Sequence, residues 1–202
     1  MNKAIVREGY NKIAEDYLAS RDQFSNPKYL DKLNSFLKPN STILDIGCGA
    51  GMPIDKFFVD RGHKVIGIDI SEKQIKLAKK NIPQGQFEVK NMSDIKAGEY
   101  QVDAVVSFYA IFHISREEHE DLFKRINSFL PEGGLILVTM GAGEYEGLED
   151  NFLGTKMWWS HYGVDKNREM IKNASFEILL DEVDASGNER HQIILAQSIL
   201  KS

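Results

Sequence analysis

Three glycines at alternate positions are the residues with the clearest chemical potential in this chain. Gly47, Gly49 and Gly51 follow the short apolar run Thr42–Ile46. Glycine lets a backbone turn sharply and approach a ligand closely, and a helix that begins after such a loop offers free amide groups. Asp69 lies 22 residues beyond Gly47, at the end of the next apolar run, where a carboxylate commonly binds ribose hydroxyls. The spacing predicts a site for a ligand with an adenosine part.

A nicotinamide dinucleotide, bound by an oxidoreductase, is the first alternative ligand. Its fingerprint, Gly-x-Gly-x-x-Gly, would require glycine at position 52, where this chain has Met52. Asp45, at the end of the first apolar run, would also place a negative charge near a pyrophosphate. The same charge is tolerated beside the ammonium and sulfonium groups of a methionine-derived ligand. The loop therefore favours a methionine-derived ligand over a dinucleotide.

The elements that must position these residues alternate between strands and helices. Apolar runs predict five strands, at residues 42–46, 64–69, 87–89, 102–108 and 135–140. Two capping boxes, Ser71 with Gln74 and Ser115 with Glu118, predict the starts of two of the helices. The alternation predicts an α/β fold, in which a doubly wound parallel sheet has helices on both faces.

The two ends of the chain depart from this alternation. Residues 1–38 are predicted to form a helical cap, and the apolar positions of its first helix are Ala4, Ile5, Ala14, Tyr17 and Leu18. Residues 176–180 and 192–196 are apolar runs separated only by polar residues that include Ser186-Gly187-Asn188. No crossover helix fits between them, so they predict an antiparallel hairpin. The sheet should therefore have seven strands, mostly parallel, with the last strand antiparallel.

The segment 141–163 is a glycine-rich insertion with an unusual aromatic run, Trp158-Trp159-Ser160-His161-Tyr162. Long insertions of this kind are often functional. We expect it to close over the ligand as a lid, with His161 facing the pocket of a second substrate. The alternative is that the aromatic residues only anchor the segment and that His161 is hydrogen-bonded to backbone.

Five segments, in order, resemble the motifs of the class I S-adenosylmethionine-dependent methyltransferases, which have a Rossmann-like fold. Residues 43–51 are similar to the first motif nearly letter for letter, and residues 65–71 to the second. The remaining three resembling segments are residues 87–94, 103–109 and 130–134. The likeness covers residues 40–140 closely and the rest of the chain more loosely. The third motif departs from the usual pattern, because Lys90-Asn91 stands in place of Gly-Asp.

The resemblance implies that S-adenosylmethionine is the cofactor and that Asp69 holds its ribose. Ile70 would pack on the adenine, Asn91 would accept a hydrogen bond from its amino group, and Met92 would lie against the ring, with Asp94 as a second polar candidate. Tyr10 and Tyr17, on the first helix, are expected to cover the donor. The full set of expected donor-binding residues is Tyr17, Asp45, Gly47, Cys48, Gly49, Gly51, Asp69, Ile70, Asn91, Met92 and Ser107.

Methyl transfer by in-line displacement requires mainly alignment of the reactants and exclusion of water. A hydroxyl acceptor would also need a base, for which His161 and His113 are the candidates, whereas a thiol or an amine needs only positioning. A packed structural role is an equal alternative for His113. A module that binds S-adenosylmethionine without transferring the methyl group, such as a sensor, is the second functional hypothesis.

The composition of the chain limits the kinds of ligand and partner that it is expected to bind. The chain has 202 residues, which suits one domain, and its formal net charge of -5 gives no electrostatic attraction for nucleic acid or an anionic membrane. No apolar run approaches the ~20 residues that span a bilayer, and no signal-peptide core is evident, so we expect a cytoplasmic protein. Cys48 is the single cysteine, which excludes an internal disulfide and a cysteine-built zinc site. We expect a small-molecule methyl acceptor and no metal.

Overall fold

A computed structural model of the chain describes residues 2–20, 27–185 and 190–199. The elements, in chain order, are α1 (Asn2–Ser20), α2 (Pro27–Asn34), β1 (Thr42–Ile46), α3 (Ile54–Val59), β2 (Lys64–Asp69), α4 (Glu72–Asn81), β3 (Gln86–Val89), β4 (Ala104–Ser107), α5 (His119–Asn127), β5 (Leu135–Gly141), β6 (Tyr145–Phe152), β7 (Thr155–His161), α6 (Val164–Asn173), β8 (Phe176–Asp184) and β9 (His191–Ser198). The five strands predicted before residue 141 are all present.

The main sheet has seven strands in the order β3-β2-β1-β4-β5-β9-β8. Strands β1 to β5 are parallel to one another, and β9 is antiparallel to both β5 and β8. This confirms the predicted mostly parallel sheet with an antiparallel last strand. The reversed strand lies inside the sheet, between β5 and β8, and not at its edge. The predicted turn at Ser186-Gly187-Asn188 lies outside the described residues.

Both faces of the sheet are covered by helices, which is why its strands are almost continuously apolar. Because successive strand residues point to opposite faces, Ile43 of β1 packs with α2 and α3, and Leu44 packs with α5 and α6. Phe58 of α3 is fully buried in the first of these layers. Burial of a side chain of this size stabilises the fold by about 1.5–3 kcal/mol.

The buried face of α1 differs from the predicted one. Val6, Gly9, Tyr10 and Ile13 are buried, whereas Ala4 is exposed. The reason is that α1 packs mainly on strand β7 and not on the main sheet. A β-carbon on Gly9 would lie 2.9 Å from the terminal methyl carbon of Met157, so the helix approaches β7 closely.

The insertion 141–163 contains a β-hairpin, which the sequence pattern did not predict. Strands β6 and β7 form a separate two-stranded antiparallel sheet, in which Tyr145 pairs with His161 and Gly147 with Trp159. Strand β6 is mostly exposed and carries several acidic residues, so it lacks the apolar alternation by which strands are recognised. The hairpin and α1 enclose a small apolar cluster around Met157.

Of the two predicted capping boxes, one is confirmed. The Ser71 hydroxyl accepts a hydrogen bond from the Gln74 amide at the start of α4. The box at Ser115 is wrong, because its hydroxyl donates to the Glu117 carboxylate and the chain first forms a 3-10 turn at Arg116–Glu118. Within the described ranges, no helix is both long and apolar enough to cross a membrane.

Candidate functional site

A cleft of about 770 Å³ lies at the carboxyl ends of β1, β2 and β4, beneath α1. Parallel strands bring the loops that follow them to the same edge of a sheet, which is where ligands bind in folds of this kind. Eight of the eleven residues predicted to bind the donor line this cleft: Tyr17, Gly47, Cys48, Gly49, Asp69, Ile70, Asn91 and Met92.

The loop after β1 requires glycine for two separate reasons. Gly47 has φ of +80°, in the left-handed region that side chains rarely adopt. A β-carbon at this position would also overlap the side-chain carbon of Ala110, which follows β4. The Gly47 amide donates to the Ile68 carbonyl at 2.8 Å, so the loop lies flat against the end of β2. At Gly47 the loop therefore exposes backbone atoms to a ligand.

Asp69 connects this loop to the start of α4. One carboxylate oxygen accepts from the Gly49 amide at 2.9 Å, and the other accepts from the Ser71 amide at 2.8 Å. Burial raises the pKa of Asp69 to about 6, against the lowering effect of these backbone hydrogen bonds. A carboxylate has about four acceptor positions, so both oxygens retain the capacity to bind ribose hydroxyls.

The part of the cleft that Ile70 and Met92 line is apolar, with the Asn91 amide beside it. Ile70 and Met92 lie on its walls, and the Asn91 side-chain oxygen accepts from the Ser93 amide at 3.1 Å. This bond caps the 3-10 turn Met92–Asp94 and fixes the orientation of the Asn91 amide. Asp94 is 69% exposed and lies 3.9 Å from the Lys3 ammonium, so it does not line the cleft.

Three of the predicted donor-binding residues lie behind the cleft instead of on its surface. The Ser107 hydroxyl donates to the Ile46 carbonyl at 2.7 Å and joins β4 to β1. A β-carbon on Gly51 would lie 2.9 Å from Ile82, so this glycine allows the loop to pack on α4. Asp45 is buried at the end of β1. These residues shape the loop from below.

Asp45 has a buried acidic neighbour that the sequence analysis missed. Asp55, in the first turn of α3, is fully buried. Burial raises the pKa of Asp55 well above its usual value, and the adjacent Asp45 carboxyl raises it further. Burial beside a second carboxyl group therefore favours the protonated form of Asp55. Burial likewise raises the pKa of the Cys48 thiol, which is therefore not a thiolate nucleophile.

His113 lies at the end of the cleft nearest to α1, and both of its ring nitrogens are engaged. Nδ1 donates to the Trp158 carbonyl at 2.8 Å, since a carbonyl only accepts. Nε2 therefore carries the lone pair and accepts from the Tyr10 hydroxyl at 2.8 Å. Burial lowers the pKa of His113 to about 4, so the ring is neutral at physiological pH. Tyr17 packs edge-on against Tyr10, with ring centroids 5.1 Å apart.

The second candidate histidine, His161, lies apart from His113. It lies outside the donor cleft, in an adjoining cavity between β5 and the hairpin, and its Nδ1 donates to the Gly143 carbonyl at 2.6 Å. A side chain on Gly141 would overlap the His161 ring. The structure thus separates the two candidate histidines, with His113 on the donor cleft and His161 on the neighbouring cavity.

Tyr109 and Ala110 line the donor cleft but were not among the predicted residues. Tyr109 is the last residue of the segment that resembles the fourth motif and Ala110 follows it, and this position was the available signal. Tyr109 has φ of +57°, an uncommon conformation for a residue with a side chain. Lys3 and Gln74 also line the cleft, and no local pattern marks either of them as a site residue.

Comparison with known proteins agrees with this geometry. A family model described as a methyltransferase domain matches residues 43–134. The chain is 28% identical over 131 residues to a cyclopropane mycolic acid synthase of Mycobacterium tuberculosis, which covers 62% of this chain and 45% of that protein. It is 30% identical over 145 residues to a phosphoethanolamine N-methyltransferase of Plasmodium falciparum, covering 68% of this chain and 53% of that protein. The chain thus spans about half the length of these curated relatives.

The fold is also similar to that of a solved structure. A magnesium protoporphyrin IX methyltransferase from Synechocystis, with bound S-adenosylmethionine, has a TM-score of 0.72 against this chain. The match covers 98% of this chain and 97% of that one, at 17% sequence identity. At this identity the likeness concerns the fold.

The close approach at Gly47 generates a stability prediction. Gly47→Ala should cost about 1–3 kcal/mol through overlap with Ala110, in addition to the left-handed strain of about 1–2 kcal/mol. Gly62→Ala is the matched control, because Gly62 has φ of +82° and no described atom lies within 4 Å of the added carbon. Urea unfolding of both variants separates the two terms. A second substitution, Ala110→Gly, should remove the overlap and recover the stability that it cost. Equal losses in the two alanine variants would contradict the steric account.

The buried pair of acids generates a pH prediction. The folded-state pKa of Asp55 is raised, so its contribution to stability is fully present below the unfolded pKa of about 3.9 and is lost as the pH rises toward the folded pKa. Asp55→Asn removes this ionisation. The free energy of unfolding of the variant, relative to the parent protein, should therefore increase between about pH 4 and pH 7. Asp60→Asn, on an exposed residue just after the same helix, is the control. A difference that is constant with pH would contradict the prediction.

Proposed function

Because the chain belongs to the class I S-adenosylmethionine-dependent methyltransferases, we propose that it transfers the methyl group of S-adenosylmethionine to a small-molecule acceptor. The observation that carries the proposal is the cleft itself. A side-chain-free loop at Gly47, a carboxylate at Asp69 and a neutral, hydrogen-bonded His113 line one enclosed space. One part of the cleft is apolar, at Ile70 and Met92, and suits the adenine of the donor. The part at Tyr10 and His113 carries polar groups and suits the methionine moiety.

The donor would supply an electrophilic methyl group on a sulfonium. Asp69 would accept from both ribose hydroxyls, while Ile70 and Met92 would hold the adenine between apolar walls. The amides of the glycine loop would face the methionine part, and the negative charge of Asp45 below the loop would favour its ammonium group. α1, backed by the hairpin within residues 141–163, would cap the donor and exclude water, whereas α2 packs against α3 and the sheet and does not line the cleft. These elements would belong to a single domain that extends over residues 1–202.

We propose that His113 is the base that takes up the proton lost by the methyl acceptor. Its Nε2 carries a lone pair at neutral pH and accepts from the Tyr10 hydroxyl, so a hydroxyl or amine acceptor would reach this lone pair by replacing Tyr10 as its hydrogen-bond donor. The Trp158 carbonyl holds the ring by its other nitrogen and fixes the tautomer. His161, which lines the adjoining cavity, is assigned to the acceptor side.

A sensor that binds S-adenosylmethionine without reaction is the second candidate function. An enzyme needs a proton acceptor or positioning group and space for a second substrate, whereas a sensor needs neither. The Tyr10–His113 pair and the cavity beside it support the enzyme.

Transfer of a labelled methyl group tests the function directly. The protein is incubated with methyl-labelled S-adenosylmethionine and a fractionated metabolite extract. We expect the label to appear in one small-molecule fraction together with S-adenosylhomocysteine. Donor binding without transfer to any fraction would support the sensor, and binding of a nicotinamide dinucleotide in preference to S-adenosylmethionine would overturn both functions.

Donor affinity should depend on Asp69. Asp69→Ala removes a charged acceptor and should cost about 1.5–3 kcal/mol of S-adenosylmethionine affinity, measured by calorimetry. Glu88→Ala, an exposed acid on β3, is the control. Because the pKa of Asp69 is about 6, the affinity of the parent protein should also fall as the pH is lowered through this value. Unchanged affinity in Asp69→Ala would refute the assignment.

The two histidines should differ in kinetics. His113→Gln removes the proton acceptor and should lower kcat for a hydroxyl acceptor by about 100-fold or more, with donor affinity retained. Tyr10→Phe keeps the ring and removes only the hydroxyl, so it should give a smaller loss. His161→Gln should act mainly through the KM of the acceptor. If His161→Gln lowers only the melting temperature, His161 is an anchor and its acceptor-side role is wrong.

A further inference from the structure

The cavity that contains His161 is a second concave site with its own chemistry. It is a wide-mouthed concavity between the end of β5, the hairpin and the start of β9. We propose, on the basis of the methyltransferase function above, that this cavity binds a planar, uncharged aromatic ring system that forms the body of the methyl acceptor.

Aromatic side chains form most of the cavity wall. The rings that line it belong to Phe112, Tyr145, Trp159, His161 and His191. Several of them contact one another, and the Phe112 centroid lies 5.3 Å from that of Trp159 and 5.9 Å from that of His191. Such rings offer flat apolar surface on which another ring stacks or packs edge-on.

The rim of the cavity exposes apolar surface to water. Tyr145 is 46% exposed and Leu148 is 45% exposed, and both lie on β6. An exposed aromatic side chain beside a concave site is typical of a surface that a ligand covers. A ring bound in the cavity would bury the Tyr145 side chain, whereas the Leu148 side chain belongs to the other face of the hairpin.

The charges of the cavity favour an uncharged ligand. Burial, and then the nearby His161, lower the pKa of His191 to about 4, so this ring is neutral at physiological pH. The Glu149 carboxylate accepts from the indole nitrogen of Trp159 at 3.0 Å. Arg190 adds a positive charge at the mouth, which disfavours a cation. Aromatic rings also attract cations, so a quaternary ammonium is the competing ligand class.

Only one layer of rings separates this cavity from the donor cleft. Tyr109 lines the cleft, and its ring lies edge-on to His191, with centroids 4.9 Å apart. The His113 ring lies 4.5 Å from that of Trp159. A ring system in the cavity would therefore lie next to the residues that we assign to proton acceptance, and its reactive atom has to pass this layer to reach the donor.

Calorimetric titration with 2-naphthol tests the proposal, with S-adenosylhomocysteine present and again without it. 2-Naphthol is planar and uncharged at neutral pH. Tyr145→Ser removes one exposed ring of the wall and should weaken naphthol binding at least about tenfold. Leu179→Ser is the matched control, because Leu179 is a strand residue of similar exposure, 38%, that lines neither cavity, and it should leave binding unchanged.

Each outcome decides between alternatives. Naphthol binding that is weakened in Tyr145→Ser but kept in Leu179→Ser supports the proposal. No naphthol binding, equal binding by all variants, or tighter binding of tetramethylammonium or decanoate overturns it. Failure of S-adenosylhomocysteine to bind would instead refute the proposed function, and the titration without it would still report on the cavity.

Discussion

The Asp69 carboxylate holds together the two loops that form the donor cleft. It accepts hydrogen bonds from Gly49, in the loop after β1, and from Ser71, at the start of α4. Hydrogen bonds to a charged group contribute about 1.5–3 kcal/mol each, which offsets part of the cost of burying the charge. The loop also depends on the absence of a side chain at Gly47, because Ala110 occupies that space. One carboxylate thus shapes the cleft and, in the proposed function, would also bind the ribose of the donor.

The end of the cleft beside α1 is built from segments that are distant in the chain. Tyr10 comes from α1, His113 from the turn after β4, and the Trp158 carbonyl from β7. The Lys12 ammonium, which donates to the Gly154 carbonyl, also joins α1 to the hairpin. The hairpin is joined in turn to the turn after β4, since Arg116 pairs with Glu146. An opening of the cleft that moves α1 alone would break the Tyr10–His113 and Lys12–Gly154 hydrogen bonds.

The features that the sequence predicted are those set by residues close together in the chain, and the features that it missed depend on residues far apart. The glycine loop, Asp69 and the reversed strand β9 were predictable, because strand periodicity and loop spacing are local patterns. Tyr10 and His113 are 103 residues apart, and only the packing of α1 on β7 brings them together. The hairpin was missed because β6 is mostly exposed, and the neutral state of His113 follows from burial, which no local pattern reveals.

A crystal structure with bound S-adenosylhomocysteine tests the central claim most directly. The account predicts the ribose hydroxyls on Asp69, the adenine between Ile70 and Met92, and the sulfur at the end of the cleft beside Tyr10 and His113. A ligand bound in the reverse direction, or outside the space between the glycine loop and α1, would contradict it.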